Sequence, residues 1–410
     1  MKKVVNIYLN NQCLFLERVC KTMKNNQLSD SIYYIGVDDK KIDLFEGQYI
    51  VPNGISYNSY VIMDEKIAVM DTVDLSMCNE WCQNLENVLN GKTPDYLVVL
   101  HMEPDHAGSI EKFLNKYTEA KVVANVKTFQ MMAQFFEKLD LSNRQVVVAE
   151  GESLSLGEHK LTFVMAPMVH WPEVMVAYES KEKVLFSADA FGKFGALDVD
   201  EEWDCEARRY YINIVGKYGA PVQALLKKAA GLDIAKIYPL HGPMLTENLG
   251  YYINKYDIWS SYKPEDKGVF IAYTSIYGNT KNAAEKLKSI LEAKGETKVA
   301  IADLARDDMA EAVEDAFRYD RLVLASPTYD GDVFPYMGTF MNRLKSKNFQ
   351  NRTVGFIENG SWAPMAGKKM MDEMSALKNI KIIENKVTIK SALKEADIIQ
   401  LENLADALMA

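Results

Sequence analysis

The sequence has few cysteines, and none of them is spaced as a metal site or a disulfide framework requires. Its 410 residues contain five cysteines, an odd number, and no Cys-x-x-Cys pair. This excludes a thiolate zinc ribbon, a four-cysteine iron site and a disulfide scaffold. Cys78 and Cys82 lie four residues apart on a predicted helix, where two thiols share a face. We expect all five residues to be reduced thiols, namely Cys13, Cys20, Cys78, Cys82 and Cys205.

The sequence also lacks a basic surplus and a long apolar run. Its formal charge of −10 gives no attraction to nucleic acid or to an anionic membrane surface. No run reaches the roughly 18 apolar residues that a membrane span needs. The apolar stretch at residues 4–9 is too short for a signal peptide. We therefore expect a cytoplasmic protein that binds neither nucleic acid nor membrane.

Length and hydrophobic rhythm predict two domains. A chain of 410 residues exceeds what one hydrophobic core usually serves. From about residue 30 to 260, short β-rich runs alternate with turns and helices, which predicts an α/β layered domain. The polar, proline-containing segment 260–267 interrupts this rhythm and is predicted to be a linker. We place the domains at 1–262 and 266–410. The predicted strands of the first domain are 32–37, 60–63, 66–70, 96–100, 121–124, 161–166, 184–188 and 237–240.

The second domain shows a regular alternation of strands and helices. Five strands with crossover helices predict an open parallel sheet. The loops after its first, third and fourth strands should meet at the carboxyl edge, where such sheets bind ligands. The predicted strands are 269–273, 298–301, 321–325, 353–357 and 381–387.

Histidine is scarce, but four of the five histidines lie at or just beyond predicted strand ends. Three carboxylates share these positions, and the motif His101-Met102-Glu103-Pro104-Asp105-His106 contains two of them. Side chains delivered from neighbouring strand ends meet at one sheet edge, and imidazoles mixed with carboxylates suit a first-row transition metal. The candidate ligands are His101, Glu103, Asp105, His106, His170, Asp189 and His241. Seven donors are too many for one tetrahedral ion, so we predict two metals with Asp189 bridging them. His159 lies in a polar turn and is predicted to face solvent.

Three loops of the second domain carry hydroxyl, glycine and aromatic residues. The turn 274–280 precedes a predicted helix and offers N–H and O–H donors to a phosphate, and it resembles the flavodoxin phosphate loop. It matches neither Gly-x-Gly-x-x-Gly nor a Walker motif. Tyr329 and Trp362 offer aromatic surface to a flavin ring. The predicted FMN-binding residues are Thr274, Ser275, Ile276, Tyr277, Gly278, Asn279, Thr280, Ser326, Pro327, Thr328, Tyr329, Asp330, Gly331, Asn359, Gly360, Ser361 and Trp362.

The order of the metal-ligand candidates, together with their flanking segments, resembles the flavodiiron proteins. Segments 54–60, 71–73, 170–173, 187–192 and 208–211 are similar to that family, and the likeness runs from about residue 30 to the C-terminus. The resemblance implies an α/β chain with an N-terminal metallo-β-lactamase-like αββα sandwich and a C-terminal flavodoxin-like, doubly wound parallel sheet. It further implies one iron held by His101, Glu103, His170 and Asp189. The other iron would be held by Asp105, His106, Asp189 and His241, with His106 able to swing away.

Glu103 bears on the choice between iron and zinc. Zinc hydrolases of the same superfold carry a histidine at this position, and a carboxylate there makes the site harder and favours iron. The expected activity is reduction of O2 to water, NO to N2O, or both. Two alternatives stay open: a zinc hydrolase with a flavodoxin-like regulatory domain, and an electron carrier with a structural metal domain. Trp171 and Phe191 bear on gas preference or serve as packing.

The resemblance also implies partners. Two electrons on reduced FMN and two on a diferrous pair make the four that O2 needs. The family forms a head-to-tail homodimer, or a dimer of such dimers, in which the flavin of one subunit faces the irons of the other. The sequence carries no further reductase motif, so we expect an external donor, either a rubredoxin or a reduced deazaflavin.

Overall fold

The computed structural model describes residues 27–410, so the prediction for Cys13 and Cys20 lies outside the described residues. Packing separates the described chain into two compact units. The first extends to Ala207 and also contains Ala224–Tyr252, whereas the second comprises Arg208–Gln223 and Ile253–Ala410. The units therefore alternate along the chain. The single division into 1–262 and 266–410 remains a prediction about sequence domains.

Two mixed sheets form the framework of the first unit. In spatial order, the larger sheet contains Ile32–Tyr34, Tyr60–Ile62, Ala68–Met70, Tyr96–Val98, Lys121–Ala124 and Gln145–Val147. The smaller contains Ser153–Ser155, Lys160–Met165, Met175–Glu179, Val184–Phe186 and Lys236–Tyr238. The larger sheet is antiparallel over its first three strands and parallel beyond them. The smaller is antiparallel except for its last pair. Two further antiparallel pairs join Val37–Asp39 with Ile55–Tyr57 and, within the segment between those strands, Leu44–Phe45 with Tyr49–Ile50.

Aromatic side chains join the two sheets. Tyr60 of the larger sheet stacks on Tyr238 of the smaller one at a centroid distance of 5.3 Å and meets Phe186 edge-on at 5.4 Å. Its hydroxyl donates a hydrogen bond to the carbonyl of Pro239 at 2.7 Å. All three rings are buried, and rings of this size contribute much of the hydrophobic stabilisation of a core. The predicted sandwich is confirmed.

Helices of the first unit follow from amphipathic spacing and capping. The helix Cys78–Leu89 buries Cys78, Trp81, Leu85 and Leu89, which recur at helical spacing on one face. Cys78 and Cys82 share that face as predicted, with 3.8 Å between their sulfur atoms. The helices up to residue 260 are Leu75–Met77, Cys78–Leu89, Pro104–Ala107, Ile110–Lys116, Val126–Phe135, Trp203–Tyr210, Tyr211–Val215, Gly216–Tyr218, Gly219–Ala229 and Leu249–Ser260. Among residues 27–410, no helix combines the length and apolar character needed to cross a membrane.

The second unit contains the predicted parallel sheet. In spatial order, its strands are Val299–Asp303, Asp266–Tyr273, Tyr319–Tyr329, Thr353–Asn359 and Lys381–Ile382, with Val387–Ile389 also paired to the fourth. Each of these pairings is parallel. The short strand Asp332–Val333 folds back antiparallel on Tyr319–Tyr329. The helices are Asn279–Ala293, Met309–Arg318, Pro335–Ser346, Ala366–Ser375 and Glu395–Met409.

Two predicted strands are divided in the structure. The predicted strand 32–37 becomes Ile32–Tyr34 and Val37–Asp39, which pair with different strands. Gly36 lies between them, where an added Cβ would come 2.4 Å from the carbonyl oxygen of Tyr57, so the chain bends where only glycine fits. The predicted last strand 381–387 is divided at a turn in which the Lys386 N–H donates to the Glu384 carbonyl at 3.0 Å.

The predicted linker is a fixed part of the second unit. Ser260 ends the helix Leu249–Ser260, and Asp266 begins the next strand. Between them, the Glu265 carboxylate accepts hydrogen bonds from Arg208 at 2.9 Å and from the Trp259 indole at 2.6 Å. Glu265 is therefore held in place by hydrogen bonds within the second unit, and the role of this segment as a linker between the two sequence domains stays a prediction.

The prediction that His159 faces solvent is wrong. The side chain is 1% exposed. Its Nε2 lies 2.8 Å from the Ser31 hydroxyl, and its Nδ1 lies 3.1 Å from the Glu179 carboxylate. Glu179 also accepts the N–H groups of Lys181 and Glu182, each at 2.7 Å. Burial raises the pKa of Glu179, but His159 and the two N–H donors outweigh it and hold the pKa below its usual value. His159 thus fastens the first strand to the smaller sheet.

Replacing His159 with alanine should destabilise the first unit. The change leaves a buried cavity and removes one partner from the buried Glu179 carboxylate, which we expect to lower the free energy of unfolding by about 2–3 kcal/mol. Denaturant unfolding followed by circular dichroism measures the loss. Glu158→Ala is the matched control because Glu158 is the exposed neighbour in the same turn. Equal stability of the two variants would contradict a fastening role for His159.

Candidate metal and flavin sites

The seven candidate ligands come from strand ends of both sheets in the first unit. His101 follows Tyr96–Val98 of the larger sheet, while His170, Asp189 and His241 follow strands of the smaller sheet. Glu103, Asp105 and His106 follow His101, and the chain turns into the short helix Pro104–Ala107 directly after Glu103. The structure brings the seven side chains into two neighbouring groups. The first contains His101, Glu103, His170 and Asp189, and the second contains Asp105, His106 and His241.

In the first group, two imidazole nitrogens face two carboxylates. His170 Nε2 lies 3.0 Å from Glu103 Oε2 and 3.2 Å from Asp189 Oδ2. His101 Nε2 lies 3.3 Å from the same Glu103 oxygen and 3.4 Å from the same Asp189 oxygen. These atoms surround one point, as the ligands of a single ion do.

The second group has the same character, and Asp189 joins it to the first. The Nε2 atoms of His106 and His241 lie 3.1 Å apart, and each is 3.2–3.3 Å from Asp105 Oδ2. Asp189 presents its other oxygen, Oδ1, to this group, at 3.1 Å from His106 Nε2 and 4.0 Å from His241 Nε2. The two oxygens of one carboxylate thus serve two adjacent positions, which is the arrangement of a bridging ligand.

Neighbouring groups fix the orientation of two of the imidazole rings. His101 Nδ1 lies 2.8 Å from Glu173 Oε1, which also accepts the Met102 N–H at 2.9 Å. His241 Nδ1 lies 2.7 Å from the backbone carbonyl of Ser56. Both acceptors require a proton on Nδ1, so each neutral ring directs its Nε2 lone pair towards the carboxylates. Partners of this kind set the tautomer of a metal-binding histidine.

The seven residues fit a pair of cations. The oxygens of Asp105 and Asp189 are buried without a hydrogen-bond partner among the described residues, and the Nε2 lone pairs face them. Such an arrangement is repulsive unless positive charge lies between the groups. The pKa values of these residues indicate the same need for positive charge between the groups. Burial lowers the pKa of His101, but Asp189, Glu103 and Glu173 raise it well above its usual value. Burial raises the pKa of Asp189, but His101 and His106 hold it well below its usual value.

Several residues near these groups were missing from the predicted set. Glu173 follows His170 by three residues, and only its place in the fold identifies it as the partner of His101. Glu46 lies beside Glu103, where burial and the Glu103 charge raise the pKa of Glu46 to about 7. Phe45 and Tyr57 meet the ring of His241 at 5.6 and 6.0 Å. Trp171, predicted as a neighbour of the site, meets the ring of His101 edge-on at 5.4 Å.

The second unit contains a cavity of about 470 Å³ at the carboxyl edge of its sheet. All three predicted loops line it, and the structure adds a fourth loop, after Val387–Ile389. The predicted lining residues are Ser275, Ile276, Tyr277, Asn279, Thr280, Pro327, Thr328, Asp330, Gly331, Asn359, Gly360, Ser361 and Trp362, and the additional ones are Ala363, Met365 and Ser391. Ser391 has φ +68° and exchanges two hydrogen bonds with Asn359, at 2.9 and 3.1 Å. No regular sequence pattern predicts that this loop lines the cavity.

Four predicted residues do not line the cavity: Thr274, Gly278, Ser326 and Tyr329. Two of them are fully buried and join adjacent loops, since the Thr274 hydroxyl donates to Ser326 Oγ at 3.1 Å. Thr328 lines the cavity, but its hydroxyl accepts the N–H groups of Met365 and Ala366 at the start of a helix. Trp362 and Tyr277 are 87% and 92% exposed and stand at the cavity rim. Hydroxyl groups, backbone N–H groups at a helix start and exposed aromatic rings fit a phosphate-bearing flavin.

Comparison with known proteins gives the class of each part of the chain. The family model described as ODP family beta lactamase matches residues 55–242, and that of the flavodoxin domain matches residues 270–386. The chain is therefore a metallo-β-lactamase-like domain joined to a flavodoxin-like domain.

Relatives and solved structures match nearly the whole chain. An uncharacterised protein of Methanocaldococcus jannaschii is 30% identical, with 90% of this chain and 94% of the relative covered. A nitric oxide reductase of Moorella thermoacetica is 29% identical with the same coverage. The rubredoxin oxygen:oxidoreductase structure from Desulfovibrio gigas has a TM-score of 0.86 at 26% identity, covering 93% of this chain and 98% of that one. The flavodiiron protein of Giardia intestinalis has a TM-score of 0.87 at 23% identity, covering 94% and 96%. The chain belongs to the flavodiiron protein family.

Replacing Glu173 with glutamine should weaken metal binding without touching a ligand. The change removes the negative charge that holds the His101 proton on Nδ1, and loss of such a partner typically costs about 10–100-fold in metal affinity. Titration of the metal-free chain with Fe²⁺ under anaerobic conditions measures the effect. The matched control is Glu152→Gln, at an exposed position of the same unit. Identical affinities in the two variants would show that Glu173 does not orient His101.

Proposed function

We propose that the protein is an oxidoreductase that reduces O2 to water, NO to N2O, or both, at a non-haem diiron site with electrons relayed through FMN. The observation that carries the proposal is the pair of histidine–carboxylate groups joined by Asp189, in a chain that also has a flavin-sized cavity. The names of the Moorella and Desulfovibrio relatives, a nitric oxide reductase and a rubredoxin oxygen:oxidoreductase, support this activity.

The chain's own residues would position the reaction. His101, Glu103 and His170 would hold one iron, Asp105, His106 and His241 the other, and Asp189 would bridge them. When bound, the two irons and FMN supply the electron transfer, two electrons from each of the two centres. Six of the seven ligands are buried, which limits the access of water to the site. Glu103 is the most exposed ligand of the first group, with 12% of its side chain accessible.

The main alternative is a zinc hydrolase with the same first domain. Glu103 lies in the first group with two imidazoles and Asp189, so this group contains two carboxylates instead of one. A donor set richer in carboxylate oxygen favours iron over zinc. Metal analysis of the purified chain distinguishes the two: the proposal requires two irons per chain, whereas a hydrolase would contain zinc.

Partners and location belong to the same proposal. The electron donor would be a separate protein such as a rubredoxin, or a reduced deazaflavin, and the active form would be a head-to-tail homodimer in the cytoplasm. The name of the Desulfovibrio relative supports a rubredoxin donor. The family resemblance supports the dimer.

Asp189→Ala should abolish gas reduction while FMN stays bound. The change removes the one side chain that serves both metal groups, whereas the flavin cavity lies wholly in the second unit. Anaerobic turnover with a chemically reduced donor, measured separately with O2 and with NO, gives the activity, and visible absorbance gives the flavin content. We expect the rate to fall at least about 100-fold at unchanged FMN content. Unchanged turnover with either gas would favour an electron carrier with a structural metal domain.

Turnover should depend on association of subunits. If the flavin of one subunit serves the irons of the other, the specific activity falls when dilution drives the dimer apart. Activity measured over a dilution series, alongside sedimentation in the same buffer, tests this. A monomer that turns over at the full rate would overturn the head-to-tail arrangement and leave the diiron chemistry intact.

A further inference from the structure

Lys193 is a buried lysine four residues beyond the bridging Asp189. It is 4% exposed, which is rare for a lysine and requires both a partner for its ammonium and a surface for its stem. The partner is Glu201, whose Oε1 lies 2.5 Å from Lys193 Nζ. The other oxygen of Glu201 accepts a hydrogen bond from the Asn53 amide at 2.9 Å. The ion pair is therefore anchored at both ends within the first unit.

The stem of Lys193 packs against the corner that bears His241. Gly242 has φ +74°, and a Cβ added to it would come 2.8 Å from Lys193 Cγ and 3.2 Å from Lys193 N. The residue before Lys193 touches the same corner, because a Cβ on Gly192 would lie 3.3 Å from His241 Cβ and 3.0 Å from the Asp189 carbonyl. The turn that carries Asp189 and the corner that carries His241 thus fit closely together at two successive residues.

The rest of that corner is also held firmly. The Gly242 N–H donates to Ser56 Oγ at 2.7 Å, and its carbonyl accepts from the Asn58 amide at 2.8 Å. These bonds fix one side of His241–Gly242, while Lys193 covers the other. Small displacements of a ligand matter at a metal site, because affinity depends on donor geometry within a few tenths of an ångström.

We propose that Lys193 is a positioning residue for the iron that Asp105, His106 and His241 would hold, which we call the second iron. Its buried stem holds the His241 corner against the Asp189 turn, and the Glu201 carboxylate keeps the stem in place by retaining the ammonium. This inference rests on the proposed diiron function. It assigns to Lys193 no contact with iron or substrate.

Three substitutions separate the stem from the charge. Lys193→Ala removes the stem, and we expect the affinity for the second iron to fall about 10–100-fold, as it does when an outer partner of a ligand is lost. Glu201→Ala leaves the ammonium without its counter-charge, so the stem should move towards solvent and the second iron should weaken as well. Lys193→Met keeps an unbranched apolar stem that remains buried by itself, and should retain both irons.

The measurements use the full-length, iron-loaded protein. Anaerobic Fe²⁺ titration gives the two affinities, and ⁵⁷Fe Mössbauer spectra show whether one of two iron signals is selectively lost. Lys236→Ala is the matched control, since it breaks a Lys–Glu pair of 2.9 Å with Glu182 in the same unit, at the start of the strand whose other end leads to His241. The control should bind two irons.

Each outcome bears on one claim. Selective loss of one iron signal in Lys193→Ala and Glu201→Ala, with rescue in Lys193→Met, supports the positioning role, and Glu201→Ala alone decides it should Lys193→Ala not fold. Wild-type iron binding in both alanine variants overturns it, as does a Lys193→Met variant as weak as Lys193→Ala. If the wild-type chain itself binds no iron, the proposed function fails before the question of Lys193 arises.

Discussion

The first unit brings three carboxylates, those of Glu103, Asp105 and Asp189, together in its interior, and the rest of the site must compensate their negative charge. Asp105 and Asp189 are buried, Glu103 lies beside them, and the Nε2 atoms of the surrounding imidazoles face these carboxylates. Burying carboxylates costs several kcal/mol each unless they are compensated. Burial lowers the pKa of His101, but the neighbouring carboxylates raise it well above its usual value, so these carboxylates favour positive charge beside them. Two divalent cations compensate the negative charge, and the bridging geometry of Asp189 suits them. The strand ends therefore hold a charge arrangement that folds best around metal.

A second histidine–carboxylate cluster in the same unit shows why residue type alone does not define a metal site. His159 lies against Glu179, as buried as the metal-site residues. There, however, each carboxylate oxygen of Glu179 has a backbone N–H donor, and the second histidine nitrogen meets a hydroxyl group. The two N–H donors and the adjacent His159 ring compensate the Glu179 carboxylate within the protein, and at this cluster no set of lone pairs converges on a common point. In the structural histidine, His159, both ring nitrogens face groups of the protein that already have other partners. In a metal ligand, one ring nitrogen is fixed by the protein and the other faces the shared position of the metal.

The sequence predicted the features that depend on neighbouring residues, such as ligands next to strand ends. It did not predict features that depend on contacts between residues distant in the sequence. All seven ligand candidates lie at or shortly after strand ends, and that position singled them out in the sequence. The strands belong to two sheets, however, and the division of the ligands into two groups was implied by the family resemblance. His159 also lies in a polar turn, but its burial depends on Ser31 and Glu179, which are distant in the sequence, and no local pattern reports that. Ser391 was missed for the same reason, because its loop reaches the flavin cavity only through the fold. The divided strand at Gly36 reflects a close backbone approach that periodicity does not encode.

The fold of the first unit is shared with hydrolases, so the reaction must be argued from the site. Glu103 is the decisive residue because its oxygen lies between two imidazole nitrogens, at 3.0 and 3.3 Å, where a histidine would present a neutral donor. A carboxylate there adds a negative charge to the group and so stabilises a metal in its higher oxidation state. For a zinc ion, which has one stable oxidation state in proteins, that stabilisation serves no chemical purpose. For a bound iron pair, which would supply the electron transfer of the proposed reaction, the added charge of Glu103 would favour the oxidised state.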